Sequence, residues 1–399
     1  MHPPHSRRCA PRNRIWVALL IGTSLRVATG CGDSPRLSVT TDAADAATAA
    51  DPATVAPPPA GQGIQMKTDA FAVPYGTEIQ NCYFFKASDM AVAAGLDPTK
   101  PIDVHRIQIV QKPGSHHMNL FRVKTIVGLD PAAGAPMQLP SGPGTLVASQ
   151  NGTGPCFASS NWADWPLFSN FQGSGSDDWS YPQGVVNAID PGETLMLQTH
   201  YVNARTQGTP DSQGQVAINL WTLPPEQVQA RVGTLFATNQ SISICRSAGD
   251  PIFMTACQFK NSAPVTIIGA NGHFHSRGTR FDIYSWDGTT TTSAPEASTR
   301  FYQSLTWDDP PMLHSPALNL VVPPGGGIRY TCAYHWQLPS ADSGGCAALD
   351  AFDQKKYGTP ATQLDCCYRF GPQVDVNEHC NAFIYYYPEQ DSVGNLNCF

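Results

Sequence analysis

The most constraining feature of this sequence is a series of short, strand-like segments separated by turns that are rich in proline and glycine. Val104–Val110 is predicted to be a strand with His105, Ile107 and Ile109 on one face. A Pro-Gly turn before Thr194–Tyr201 and an Asp-Gly turn after Arg280–Trp286 mark where strands begin and end. No long segment has the 3.6-residue periodicity of an amphipathic helix. With only 14% charged residues, 34 glycines and 35 prolines, the chain is predicted to be all-β.

The length of 399 residues is too great for one ordinary core and predicts about two domains after the ends are removed. Residues 1–31 have the composition of an export signal. Residues 32–65 are rich in Ala, Thr, Asp and Pro and are predicted to be a flexible tether. Prolines near Pro224 indicate a passage between domains, so the prediction is an N-terminal domain at 66–222 and a C-terminal domain at 223–399.

The leader has two possible forms of processing. Arginines precede the apolar run Ile15–Gly22, and small residues end at Cys31. This ending resembles a bacterial lipoprotein cleavage site, at which Cys31 becomes the lipidated first residue, whereas Arg26 interrupts that pattern and leaves ordinary signal cleavage open. The apolar run is shorter than the ~20 residues that cross a bilayer. We therefore expect an exported protein, either secreted or held at the cell envelope by a lipid.

The cysteines and the charge limit the function further. Of 12 cysteines, Cys9 and Cys31 belong to the leader, and the other ten are scattered without a zinc-ribbon pattern, which predicts up to five disulfides in an exported protein. The net charge is −7, with 31 acidic against 24 basic side chains, and five of the arginines lie in the leader. An acidic mature chain argues against nucleic acid as a partner.

A His-x-His element, His273 and His275, suggests a metal site. A strand points side chains at i and i+2 to one face, so both imidazoles can bind one ion. An isolated pair of this kind more often lies on the wet face of a surface strand. The assignment therefore depends on further histidines.

Three more histidines occur in the first predicted domain. His116 and His117 follow a Pro-Gly turn, and because adjacent strand residues point to opposite faces, both can bind one ion only at a bulge or at the start of a strand. His200 lies in a strong strand, where it shares a face with Gln198, which is predicted to support it. A buried histidine satisfied by the core is the alternative for His200.

These patterns and two others occur in one order along the chain. They are His116-His117-Met118, Leu197-Gln198-Thr199-His200, His273-Phe274-His275, a block from Trp307 to Cys332, and Glu378-His379-Cys380-Asn381 leading to Tyr387-Pro388. Over roughly residues 75–390, the chain resembles the copper type II, ascorbate-dependent monooxygenases, the family of peptidylglycine and dopamine hydroxylases. The resemblance implies two consecutive jelly-roll-like β-sandwich domains, stabilised by disulfides, with one copper in each.

The resemblance also implies the ligands. The first copper corresponds to His116, His117 and His200, and the second to His273 and His275. Family members complete the second site with a methionine that precedes a cysteine, and His379 stands at that place here. Either His379 is the third ligand, or it points into solvent and leaves only two.

Further residues follow from the same comparison. The resemblance implies a disulfide between Cys332 and Cys380, and next a disulfide between Cys257 and Cys398. Asn381 is retained and becomes a candidate substrate contact. The arginine of the peptide-amidating members is replaced by Asn271, so a bidentate clamp for a substrate carboxylate is missing, and a peptide ending in glycine is not the expected substrate.

The expected function is an exported copper monooxygenase that hydroxylates a C–H bond of a small or peptide-like substrate with O2 and a reductant such as ascorbate. Imidazole suits copper, although three histidines and water also form a catalytic zinc site. Because a third imidazole favours Cu(II) more than a thioether does, His379 leaves open a non-catalytic copper-binding or electron-transfer protein. A lipid-tethered β-sandwich adhesion protein is a third alternative.

Overall fold

The computed structural model describes residues 51–123, 145–150, 166–173, 175–203, 212–289, 293–341, 343–371 and 374–390, with only the backbone at 145–150. The predicted leader, most of the predicted tether and Cys398 lie outside these residues. The fold is all-β, as predicted.

The described part of the chain before Val232 consists mainly of short strands, as the composition predicts, and it also contains one α-helix and a short 3-10 helix at Pro225–Gln227. The strands are β1 (Gly63–Lys67), β2 (Phe71–Val73), β3 (Thr77–Lys86), β4 (Ile102–Gln111), β5 (Ser115–Arg122), β6 (Thr145–Gln150), β7 (Leu167–Phe171), β8 (Gly175–Ser180), β9 (Val185–Ile189), β10 (Thr194–Asn203), β11 (Ser212–Gly214), β12 (Val216–Thr222) and β13 (Ala230–Arg231), and the helix is α1 (Ala87–Ala93).

The described part after Val232 repeats this organisation. The strands are β14 (Gly233–Thr238), β15 (Ser243–Ile244), β16 (Ile252–Gln258), β17 (Val265–His273), β18 (Gly278–Trp286), β19 (Arg300–Ser304), β20 (Leu313–His314), β21 (Leu320–Val322), β22 (Gly327–Tyr334), β23 (Tyr368–Phe370), β24 (Asn377–Glu378) and β25 (Asn381–Tyr387), and the helix is α2 (Gly345–Tyr357).

Strands before Val232 form three sheets. A six-stranded sheet has the order β1-β12-β4-β9-β13, with β8 also paired to β4; a five-stranded sheet has the order β6-β3-β10-β5-β7; and β11 pairs with β2. Most pairs are antiparallel, and β10 lies between β3 and β5. This order puts the predicted His116, His117 and His200 on neighbouring strands.

Strands after Val232 form three further sheets. Their orders are β14-β25-β17-β20, with β21 also paired to β17, then β15-β23-β24, and β16-β22-β18-β19. Within the described residues, no sheet combines strands from both sides of Val232. The strand β25 lies beside β17, so the segment that follows His379 pairs with the strand that ends at His273.

Two apolar clusters fill the spaces between the sheets. The first is built mainly from residues before Val232 and also takes in Phe383 and Tyr385 of β25. The second is built from residues after Val232, such as Ile267 and Tyr330. Because the first cluster includes side chains from β25, the two groups of sheets pack against each other, and Thr48–Phe399 is one compact unit.

The helix α2 was not predicted from the sequence. It has 13 residues, of which Leu349 and Asp353 are buried. An apolar stripe is the signal by which a helix is recognised in a sequence, and this helix lacks one. Asp353 accepts two hydrogen bonds from the Arg369 guanidinium, at 2.7 and 2.8 Å, so a buried ion pair replaces part of the missing apolar contact.

The disulfides agree with the cysteine count. Cys332–Cys380 is present, as predicted, and Cys245–Cys367 and Cys346–Cys366 join it in the second half. Cys257 is also disulfide-bonded, but its predicted partner Cys398 lies outside the described residues, so that pairing stays a prediction. Among the residues described, no helix is long and apolar enough to cross a membrane.

The packed chain begins before Met66, where the predicted tether was expected to end. Gln65 donates a hydrogen bond to the carbonyl of Val55 at 3.1 Å, and Asn219 donates one to the carbonyl of Ala56 at 2.8 Å. Pro52 and Pro58 of this segment are buried, and the carbonyls of Val55 and Ala56 pair with polar side chains of the first sheet. Composition alone did not indicate these contacts.

Candidate metal centre

A β-bulge brings His116 and His117 to one side of the sheet. His200 pairs with His117, but Tyr201 pairs with Ser115, so His116 is the extra residue of the bulge. This is the geometry that two adjacent histidines need to reach one ion. The two Nδ1 atoms of His116 and His117 are 2.9 Å apart.

The His-x-His element lies at the end of β17. His273 is the last residue of that strand, His275 follows in the loop, and Phe274 between them is buried in the second apolar cluster. A Cβ atom at Gly278 would lie 1.7 Å from the Phe274 ring, so a glycine is required there for the phenylalanine to pack. This packing turns both imidazoles to the opposite side.

His379 lies beside these two histidines. It is only 7% exposed, so the alternative in which it points into solvent is wrong. Its Nδ1 atom is 3.0 Å from Nε2 of His273. The Cys332–Cys380 disulfide fixes the next residue to β22, and the Tyr334 hydroxyl donates a hydrogen bond to the His379 carbonyl.

All six histidines predicted as ligands converge on one place. The centroid of the His116 ring is 5.0 Å from that of His200 and 5.0 Å from that of His273. His116 can contribute to two groups of ligand atoms, each within 4.8 Å: one with His117 and His200, and one with His273 and His275. The structure therefore joins the two predicted triplets in a single six-histidine cluster, rather than keeping them apart.

The cluster has free nitrogens where a metal ion would need them. Four buried ring nitrogens have no hydrogen-bond partner among the described residues: His116 Nε2, His200 Nδ1, His273 Nδ1 and His275 Nε2. An unsatisfied buried polar atom costs about 1–3 kcal/mol, so several in contact indicate a ligand. An ion bound by these atoms would remove that cost.

Neighbouring groups orient two of the rings. His200 Nε2 lies 2.6 Å from Oε1 of Glu78, and His275 Nδ1 lies 3.0 Å from the carbonyl of Asn377. In each ring the contact occupies one nitrogen and leaves the other, unpartnered nitrogen available to a metal. Second-shell partners of metal-bound histidines act in this way.

Gln198 contacts a ligand, but that ligand is His117 rather than His200. It hydrogen-bonds the His117 ring and accepts a hydrogen bond from Asn119 at 3.1 Å. Asn119 in turn accepts one from Gln172 at 3.2 Å. This chain of amides helps to hold the His117 ring.

Glu378 supports the second triplet through hydrogen bonds to the backbone. Its carboxylate accepts hydrogen bonds from the backbone N–H groups of His275, at 2.8 Å, and Arg277, at 2.9 Å. Burial raises the pKa of Glu378 to about 7, and the nearby Arg277 guanidinium opposes this shift. A single carboxylate thus ties the loop of His275 to the segment that carries His379.

Burial keeps five rings of the cluster uncharged. It lowers the pKa of His116, His117, His273, His275 and His379 well below the usual value, and the neighbouring imidazoles lower it further. Neutral imidazole is the form that binds a metal ion. The rings are therefore ready for an ion at neutral pH.

A second group of candidate ligands does not form a metal site. Cys245, Asp365 and Cys367 lie close together, but both sulfurs belong to one disulfide. A disulfide sulfur is not a thiolate, and thiolates are the form of cysteine that binds metals. This group is structural.

Comparison with known proteins adds no assignment. No family model matches the chain, and no curated protein matches it. Among solved structures, the empty top-component particle of Cowpea mosaic virus is 8% identical, with a TM-score of 0.31 and coverage of 89% of this chain and 95% of that one. Broad bean stain virus is 9% identical, with a TM-score of 0.30 and coverage of 92% and 97%. The PBSX exported protein XepA is 7% identical, with a TM-score of 0.20 and coverage of 70% and 89%. Because these TM-scores are so low, the similarities indicate nothing about the function of this chain.

Asn381 lies next to the cluster. It pairs with His273 across β25 and β17, it is buried, and its side-chain oxygen has no hydrogen-bond partner among the described residues. Residues directly opposite each other in an antiparallel pair lie on the same face. The side-chain amide of Asn381 is therefore available to bind another group next to His273.

Sequence analysis did not identify Glu78 and Asn377 as neighbours of the ligands. Glu78 lies 122 residues from His200 in the sequence, and Asn377 acts through its backbone carbonyl, which no motif records. Only the register of β3 on β10 could have indicated Glu78, because Gln80 pairs with His200.

We expect Glu78→Ala to weaken metal binding at the first triplet by about 10- to 100-fold, because removing a second-shell partner of a histidine ligand has that effect. Competition against a chelator of known affinity measures the change. Asp250→Ala is the matched control, since Asp250 pairs with the exposed His335 at 2.5 Å away from the predicted ligands. Equal affinities in the two variants would contradict the role of Glu78.

Proposed function

We propose that the six-histidine cluster binds copper, two ions per chain. The observation that carries this proposal is the convergence of six buried imidazoles, four of whose ring nitrogens have no partner among the described residues. Leaving these buried nitrogens unpaired costs free energy. A metal ion compensates for that cost.

Copper is proposed over zinc because imidazole suits copper and because copper stands at the top of the divalent affinity order. Two pairs of ring nitrogens lie close together: His116 Nδ1 is 2.9 Å from His117 Nδ1, and His273 Nε2 is 3.0 Å from His379 Nδ1. Both separations are those of a hydrogen bond and suit either metal.

We further propose that the protein is a copper monooxygenase that hydroxylates a C–H bond with O2 and a reductant such as ascorbate. Bound copper would supply electron transfer and activation of O2. The resemblance gives His116, His117 and His200 the electron-receiving role and His273, His275 and His379 the oxygen-binding role. Asn381, whose side-chain oxygen is free beside His273, would orient a small or peptide-like substrate there.

The surroundings of the cluster suit such chemistry. The six rings are 0–7% exposed, so bulk water has little access to them. The Trp307 ring lies 5.6 Å from that of His116, and the Phe370 ring 4.8 Å from that of His379. Aromatic walls of this kind exclude water and protect a reactive centre.

The fold and location are part of the same proposal. Two jelly-roll-like β-sandwiches with a boundary near residue 222 are supported by the separation of the sheets at Val232. Export, with or without lipidation at Cys31, is supported by the disulfides of the second half, since such bonds persist in oxidising compartments.

Two measurements on the purified full chain test this function. Metal analysis should find two copper ions per chain after loading and dialysis, and ascorbate should drive O2 consumption that depends on the bound copper. His335→Ala is the control, because His335 is exposed. This variant should keep both the copper content and the O2 consumption. Failure of the wild-type protein to retain copper would contradict the proposal.

A non-catalytic copper or electron-transfer protein is the second candidate, and His379 is the observation that favours it. An all-nitrogen ligand set favours Cu(II), whereas a thioether favours Cu(I). We therefore expect ascorbate to reduce the second-triplet copper more slowly than the first. His379→Met should restore sulfur ligation, visible by X-ray absorption of the reduced protein, and raise ascorbate-driven O2 consumption. An unchanged rate with sulfur bound would favour the non-catalytic function.

A further inference from the structure

His116 lies between the two triplets rather than within one of them. The centroid of its ring is 5.1 Å from that of His117 and 5.0 Å from that of His200, and it is 5.0 Å from that of His273 and 5.4 Å from that of His275. Its distances to the two sides are therefore nearly equal. No other ring of the cluster belongs to both groups of close ligand atoms.

The two nitrogens of His116 have different surroundings. Nδ1 is 2.9 Å from Nδ1 of His117, on the side of the first triplet. Nε2 is buried and has no partner among the described residues. The two nitrogens of an imidazole point away from each other. Because Nδ1 of His116 lies on the side of the first triplet, its Nε2 points away from that triplet. His273 and His275 form the second group whose ligand atoms lie within 4.8 Å of those of His116, and His275 Nε2 also has no partner among the described residues.

We propose that His116 is shared by two metal ions, so that the cluster is one dinuclear centre. Nδ1 would bind the ion held with His117 and His200, and Nε2 the ion held with His273, His275 and His379. The ring gives up its single N–H proton to solvent when the second ion binds, and no electron is transferred in that step. This inference rests on the proposed copper function and specifies how the two ions are related.

Buried contacts across the two groups of sheets hold the triplets at this separation. Asn170 of β7 donates a hydrogen bond to Asn271 of β17 at 3.1 Å, and the Tyr385 hydroxyl donates one to Asn170. Breaking either contact would leave buried polar atoms unpaired, at about 1–3 kcal/mol each. Asn271 is two residues from His273, and β7 pairs with β5, which carries His116.

A second contact between the same groups of sheets adds to this restraint. The His314 ring of β20 stacks on Trp179 of β8 with centroids 4.0 Å apart, and its Nε2 lies 2.8 Å from Oδ2 of Asp177. The two halves thus meet through specific polar contacts as well as apolar packing. A fixed separation is what a ring shared by two ions requires.

The consequence for the proposed chemistry is a short path for electrons. In two separate sites an electron would have to cross solvent or protein between the ions. Through a shared ring, an electron received on the side of His117 and His200 would have only one imidazole to cross to the side of His273. A shared ring also couples the unpaired electrons of two Cu(II) ions, which gives the arrangement a spectroscopic signature independent of turnover.

The test uses the full chain loaded with Cu(II) without reductant, and it compares copper content by mass spectrometry with the spin count by electron paramagnetic resonance at low temperature. We expect two coppers per chain and a spin count several-fold below two. His275→Ala should retain the first ion, whose spin is then fully visible. His335→Ala is the control that should behave as the wild-type protein does.

The outcomes separate this inference from the proposed function. Two coppers per chain with two full spins would overturn the shared ring and leave copper binding intact. A single copper per wild-type chain would also overturn it. Absence of bound copper would overturn both proposals. His116→Ala should convert any bound copper to full spin, and the wild-type spin count decides the matter even where that variant does not fold.

Discussion

Metal-free protein is expected to lose about 5 kcal/mol of stability between pH 7.5 and pH 5.5. Burial lowers the pKa of five cluster histidines well below the usual 6.5. The unfolded chain therefore takes up five protons as the pH falls through 6.5, while the folded chain does not. Each such histidine costs about 1.4 kcal/mol over the whole interval from pH 7.5 to pH 5.5, or about 7 kcal/mol for five.

Glu378 acts in the opposite direction. Because burial raises its pKa to about 7 from 4.5, the folded state takes up this proton before the unfolded state does. Stability therefore rises by about 2 kcal/mol between pH 7.5 and pH 5.5. The remaining loss of about 5 kcal/mol equals the whole stability of many domains, so the metal-free protein should unfold near the lower pH.

Urea unfolding of chelator-treated protein, followed by tryptophan fluorescence at the two pH values, measures this loss. His275→Gln should reduce it by about 1.4 kcal/mol, whereas His335→Ala, at an exposed histidine, should leave it unchanged. Bound metal keeps the nitrogens unprotonated, so the loaded protein should stay folded at pH 5.5. Equal stability of metal-free protein at both values would show that the cluster is not buried in solution.

Replacing both Cys332 and Cys380 with alanine is expected to destabilise the protein by about 4 kcal/mol and to remove metal from the second triplet. The disulfide closes a loop with a sequence separation of 48 residues, for which loss of the constraint on the unfolded chain gives about that value. His379 precedes Cys380 directly. Without the bond to β22, this ligand loses the link that holds it beside His273.

The Cys346–Cys366 disulfide supplies the control. Its sequence separation is 20 residues, so its removal should cost about 3 kcal/mol. It joins α2 to the segment before β23 and contacts no ligand of the cluster. Denaturation and metal analysis of both variants decide the matter: if the Cys332 and Cys380 variant keeps its full metal content, this disulfide does not position His379.

The sequence was sufficient for properties that depend on local patterns. Arg280–Trp286 was predicted as a strand and is contained in β18, and Thr194–Tyr201 is contained in β10, because alternation and flanking turns act within a few residues. The bulge at His116 was also foreseeable. Two adjacent histidines cannot face one ion from a regular strand, and the pairing of β10 with β5 shifts at that residue.

The tertiary structure alone decided how the histidines meet. From the sequence, His116, His117 and His200 formed one site and His273, His275 and His379 another, since nothing local relates residue 116 to residue 273. Their contact depends on buried polar bonds such as Asn170 to Asn271, 101 residues apart, and on β25 packing into the first apolar cluster. A pattern in the sequence records which side chains share a face of one strand. It does not record which faces of different sheets the folded chain brings together, and that determines whether six imidazoles form two centres or one.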